Sequence, residues 1–186
     1  MGQNLAIGLA YEMRVPLSEL RQGNISKKEL RQEMEQSLLF DMSLYEASQA
    51  KKMLFFTLKN QVLETDLIPF LEAFYPMVYQ GSDDEECKEV LKKLRSLPVS
   101  EWLDMAEEAD LTPFQYDRYA ESQYITFSKA FQPEILVDCE YLMLYYGNGK
   151  IITEGIDDFL HLFKQCIHAT FHSHPIAKSM QVYISG

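Results

Sequence analysis

The sequence predicts an α+β domain in which helices pack against a mixed or antiparallel sheet. Three observations predict it. Residues Leu5 to Val15 alternate apolar and small or polar side chains with strict period two. Ser26 and Glu29 form a capping box ahead of an apolar stripe with helical spacing. Asn148-Gly149 lies between two apolar segments, the strongest short hairpin signal, because both central positions of a type I′ turn need positive φ.

The elements follow in order. Leu5, Ile7, Leu9, Tyr11, Met13 and Val15 form one face of a first strand that Pro16 closes. The small residues Ala6, Gly8 and Ala10 on the other face imply close packing there. Leu30, Met34 and Leu38 mark a helix from about Lys27 to Phe40. Residues 41–58 are harder to read, with the apolar run Met53 to Leu58 favouring a strand. Helical spacing resumes at Asn60, but Pro69 cannot donate an N–H and predicts a break or kink near Asp66, with Pro76 and Gly81 ending the segment. Ser82 caps a helix whose inner face is Cys87, Val90, Leu91 and Leu94, and Pro98 stops it. Ser100 caps a short helix with Trp102, Met105, Ala106 and Ala109 inward. Residues 111–133 are rich in aromatics without a clean period.

Ile135 to Tyr146 alternates again. Its second face begins polar at Asp138 and Glu140 and ends apolar at Leu142 and Leu144, as in a strand running from an open region into a covered one. Lys150 to Thr153 is the expected return strand. Ile156, Phe159, Leu160, Phe163, Ile167 and Thr170 mark a helix, and Met180 to Ile184 a last strand. Repeats, low-complexity tracts and linker-like stretches are lacking, so the 186 residues read as one domain.

Composition sets the function classes. Apolar residues make up 47%, enough for a substantial core. No apolar run reaches membrane-span length and the first residues do not resemble a secretory signal, so a cytoplasmic protein is expected. Cys87, Cys139 and Cys166 are odd in number and widely spaced, as for reduced thiols. Twenty-eight acids against 17 bases give a net charge of −11, which disfavours nucleic acid and anionic membranes as partners. Residues 83–110 hold 10 acids and 4 bases, a net of −6, which is more than half of the total in 28 residues.

His161, His168 and His172 fall on one helical face with Asp157, a donor set that could suit zinc. The same face carries Lys164 and Gln165 and lies opposite the apolar stripe, so it points to solvent, whereas a catalytic metal needs a partly dry cavity. His172-Ser173-His174-Pro175 resembles the HSHP signature of the JAMM/JAB metalloprotease family. In that family both histidines bind zinc, a downstream serine and aspartate complete the site, and an upstream glutamate is the base. The resemblance covers four residues. Ser185 has no aspartate after it, and neither Glu140 nor Glu154 is singled out as the glutamate. Phosphate loops, dinucleotide fingerprints, nucleophile elbows and HExxH are absent from the sequence. Cys166 and His168, two residues apart, fall on different helical faces.

The expectation is therefore a non-enzymatic domain without cofactor or metal, an acidic inhibitor, immunity-type or regulatory binder of a basic protein. The expected contact residues are Asp83, Asp84, Glu85, Glu86, Asp104, Glu107 and Glu108, with Tyr116 and Tyr119 as apolar anchors. The alternative is a metal-dependent hydrolase using the C-terminal histidines.

Overall fold

A long first strand organises the architecture. The computed structural model describes residues 4–38, 40–78, 82–98, 101, 120–125, 127, 134–147, 157, 161, 164 and 180–185. The strand, β1 (Asn4–Pro16), is followed by α1 (Leu17–Gln22), α2 (Lys27–Ser37) and a 3₁₀ turn (Met42–Leu44). The hairpin of β2 (Tyr45–Ala50) and β3 (Met53–Leu58) comes next, then α3 (Asn60–Val62), a π-helical stretch (Leu63–Leu67), α4 (Ile68–Val78) and α5 (Ser82–Ser96). Strands β4 (Ala120–Ile125), β5 (Ile135–Gly147) and β6 (Met180–Ser185) complete the described elements. The α+β class is thus the observed one.

Among the described residues the sheet has six strands, in the order β2-β3-β1-β5-β4 with β6 also paired to β1. Every pairing is antiparallel. One edge of β1 is shared end to end: β6 takes Asn4 to Leu9 and β3 takes Glu12 to Pro16. The other edge runs along β5, and its register slips between Ile7 and Gly8 and again between Ala10 and Glu12. Tyr11 is the extra residue of that bulge, a feature that bends a strand and re-aims its side chains. Ala10 and Tyr11 therefore lie where β6 has ended and β3 has not begun. There the buried Tyr45 hydroxyl donates to the Ala10 carbonyl at 2.8 Å.

Alternation places the core. Met13 and Val15 of β1 share a face with Leu54, Phe56 and Leu58 of β3 and with Ile135, Val137 and Cys139 of β5, all buried. Leu30 and Met34 of α2, both fully buried, join the same cluster. The capping box is present: the Glu29 N–H donates to Ser26 Oγ at 3.2 Å, and the Ser26 N–H donates to Glu29 Oε2 at 2.9 Å. The helix ends at Ser37, three residues short of the expected Phe40. Along the second face of β5, Leu136 and Asp138 are half-buried while Glu140 and Leu142 are buried, the passage from open to covered that the sequence implied.

Three local outcomes add to the sequence reading. β2 was not foreseen. Its sequence YEASQA has neither alternation nor β-branched residues, and pairing with β3 holds it extended. The predicted disturbance near Asp66 is the π-helical stretch just before Pro69, where a wider turn accommodates the missing donor. Pro76 does not end its helix, which continues to Val78. The expected return strand Lys150–Thr153 and the helix after Ser100, apart from helical Glu101, lie outside the described residues. No helix among the described residues is long and apolar enough to cross a membrane.

Candidate functional site

The acidic helix α5 turns Cys87 and Val90 into the core, each 3% exposed, with Leu91 packed partly against it. Glu85 and Glu89 are exposed. Glu85 pairs with Lys88 one turn on, at 3.1 Å, an exposed pair of small energetic consequence. Asp83, Asp84 and Glu86 lie on the first turns of the same helix. The C-terminal half carries Lys92, Lys93 and Arg95, so the helix is acidic at its start and basic at its end, matching its dipole. Arg95 forms an ion pair with Glu72 of α4. Asp104, Glu107, Glu108, Tyr116 and Tyr119 fall outside the described residues.

Of the histidine helix, Asp157, His161 and Lys164 are described. All three are helical and exposed. His168, His172, His174 and Cys166 lie outside the described residues. Among the described residues no group of three or more His, Cys, Asp and Glu side chains could hold a metal. Cys87 and Cys139 are buried free thiols.

Sequence reasoning missed a polar cluster on the sheet face opposite the core. Arg14 Nε donates to Glu12 Oε1 at 2.8 Å, and its Nη2 forms an ion pair with Glu140. Glu12 and Glu140 stand directly opposite each other across β1 and β5. Like charges in that position repel, and the guanidinium between them offsets the repulsion. Thr57 Oγ1 of β3 donates to the other Glu12 oxygen at 3.3 Å. Glu140 is only 7% exposed. Burial holds the phenol of the bulged Tyr11 above its ordinary value, with Glu12 and Glu140 adding to the effect.

The cluster opens toward β4. Asp138 faces Arg14 across the β1–β5 ladder and is half-buried. Tyr124 is paired with Leu136, hence diagonal to Asp138 on the same face, and is 65% exposed. Three carboxylates around one arginine leave this face negative. An open phenol beside a carboxylate suits a guanidinium or ammonium group, which gains from both the ring face and the charge. The signal in the sequence was the polar second face of β1 and β5, Glu12, Arg14, Asp138 and Glu140. Their convergence depended on a register that one chain segment cannot specify.

No known protein family, curated protein sequence or solved structure matches this chain.

Proposed function

We propose that the chain is a non-enzymatic binding domain for a basic protein, acting as an inhibitor, immunity-type or regulatory binder. The observation that carries this reading is Tyr124, 65% exposed and diagonal to Asp138 on a face where Glu12 and Glu140 outnumber Arg14. An exposed aromatic ring with a carboxylate diagonal to it suits capture of a basic side chain at an interface hot spot. The acids of residues 83–108, Asp83, Asp84, Glu85, Glu86, Asp104, Glu107 and Glu108, supply a field that speeds encounter with a positive protein, and Tyr116 and Tyr119 add contact area.

The two contributions separate kinetically. With a basic partner captured from the source cell, Tyr124→Ala should speed dissociation by roughly 10-fold, the order expected of a hot-spot truncation. Reversal of Asp104, Glu107 and Glu108 to Lys should slow association at low salt and leave dissociation nearly unchanged. An association rate that ignores both the reversal and the salt would reduce the acids to solvated surface and sink this reading.

A further inference from the structure

Among the described residues, β2 stands at one end of the strand order with no further strand paired to it. Residues Glu46 to Ala50 are all exposed. Ala50 and Met53 close a two-residue turn and so form a hydrogen-bonded pair. Alternation then directs the N–H and C=O of Ser48 and Glu46 to β3, and those of Ala47 and Gln49 away from it. The Lys59 N–H donating to the Leu44 carbonyl at 3.0 Å fits the same phase. Edge strands are commonly blunted by proline, a bulge or an inward charge. β2 has no proline, and its pairing with β3 runs without a register shift.

Beside the hairpin end of this edge lies a cavity of about 480 Å³, within the range of ligand pockets. The buried Leu17, Leu20 and Ile25 line it, with Arg21, Lys27, Glu29 and Gln49 nearer to solvent. Gln49 joins the two features. Its side chain is on the core face of the sheet, the face α2 covers, and accepts from Lys27 Nζ at 2.9 Å. A strand added along β2 would place the side chain opposite Gln49 on that face, at the mouth of the cavity. The exposed guanidinium of Arg21 has neither hydrogen bond nor ion pair among the described residues. The surroundings carry a small positive excess within an acidic protein: the cavity is lined by two bases, Arg21 and Lys27, against one acid, Glu29, and residues 41–59 hold two acids (Asp41, Glu46) and three bases (Lys51, Lys52, Lys59).

We infer that β2 accepts an extended peptide segment of a partner by strand addition, with an apolar side chain in the cavity beside Gln49 and an adjacent carboxylate on Arg21. The main chain supplies affinity through Ala47 and Gln49, and the cavity supplies choice of side chain. Charge complementarity selects an acidic segment over a second copy of β2, whose own net charge across residues 45–52 is positive, with Glu46 against Lys51 and Lys52.

The test is selection of a random 12-residue peptide library on the full-length chain. The expected winners carry an apolar residue next to Asp or Glu. They should slow hydrogen exchange of the Ala47 and Gln49 amides at least 10-fold. Arg21→Glu should weaken them at least 10-fold, and Ala47→Pro, which removes an outward N–H and no β2–β3 bond, should abolish binding. The exchange measurement uses the unaltered protein and so does not depend on how the proline variant folds. Failure to enrich any peptide, or winners that leave both amides unprotected, would overturn the inference. Concentration-dependent dimerisation that protects these amides without peptide would overturn it in favour of self-pairing.

Discussion

Tyr45→Phe removes one oxygen atom and tests how the gap in the pairing of β1 is closed. Tyr45 is 1% exposed and Ala10 fully buried, so water cannot replace the lost donor. The phenol donates to the Ala10 carbonyl at 2.8 Å, where β6 has ended and β3 has not yet begun. The ring volume is unchanged, which removes cavity formation from the comparison. What remains is a buried acceptor left without this donor, a cost of about 1–3 kcal/mol. At about 2–4 °C per kcal/mol for a chain of this length, Tm should fall by roughly 4–8 °C for a cost near 2 kcal/mol. Urea unfolding gives the free energy, and Tyr124→Phe is the control, because a hydroxyl on a side chain 65% exposed exchanges freely with water. A loss below about 0.5 kcal/mol for Tyr45→Phe, or equal losses for both variants, would show that the Ala10 carbonyl is served in another way.

Arg14→Met should destabilise by about 3 kcal/mol in urea, because Glu140 is left buried opposite Glu12; adding Glu140→Gln should recover much of the loss, and an additive double variant would contradict the proposed coupling. Lys51 has φ of 54° at the first position of the β2–β3 turn, so Lys51→Gly should raise stability by about 0.5–1 kcal/mol while Lys51→Ala should not, and equal effects would refute strain as the cause. Because Tyr11 keeps its proton in the folded state beyond the ordinary pH of phenol ionisation, the folded chain binds more protons than the unfolded one above about pH 10 and stability should fall as pH rises there; Tyr11→Phe should flatten that slope in alkaline urea titrations. Purified without chelator, the chain should carry no stoichiometric zinc, since Asp157 and His161 point outward; about one metal per chain by elemental analysis, lost in His172→Ala, would restore the hydrolase alternative.

Legibility followed the physical range of each signal. The capping box at Ser26 and Glu29, the helix beginning at Ser82 and the alternation of β1 and β5 are local, and a reader of the sequence could place them. The disturbance before Pro69 was legible for the same reason, although its form as a π-helical turn was not. β2 was invisible because YEASQA has neither alternation nor β-branched residues, and its pairing with β3 is not recorded in its own sequence. The alternation of β1 also concealed something. Tyr11 continues the apolar series from Leu5 to Val15, yet the register with β5 slips at that residue, which is half-buried. A bulge is a property of two strands, and one strand's period does not record it.

The bulge at Tyr11 links the fold to the polar face. Beyond it, Glu12 and Arg14 stand on the face opposite Met13 and Val15, in step with Glu140 and Asp138 on β5. Without the extra residue the register would shift by one, and a one-residue shift transfers a whole set of side chains to the other face. Glu12 would then no longer face Glu140, and Arg14 would lose its place beside both carboxylates. The core side follows the same register, with Met13 opposite Cys139 beyond the bulge. The two strands sharing one edge of β1 meet near this residue, and Tyr45 reaches in there to bond Ala10. The bulge toward β5 and the gap between β6 and β3 on the opposite edge thus fall at the same two residues, and on the gap side the Tyr45 hydroxyl satisfies the Ala10 carbonyl.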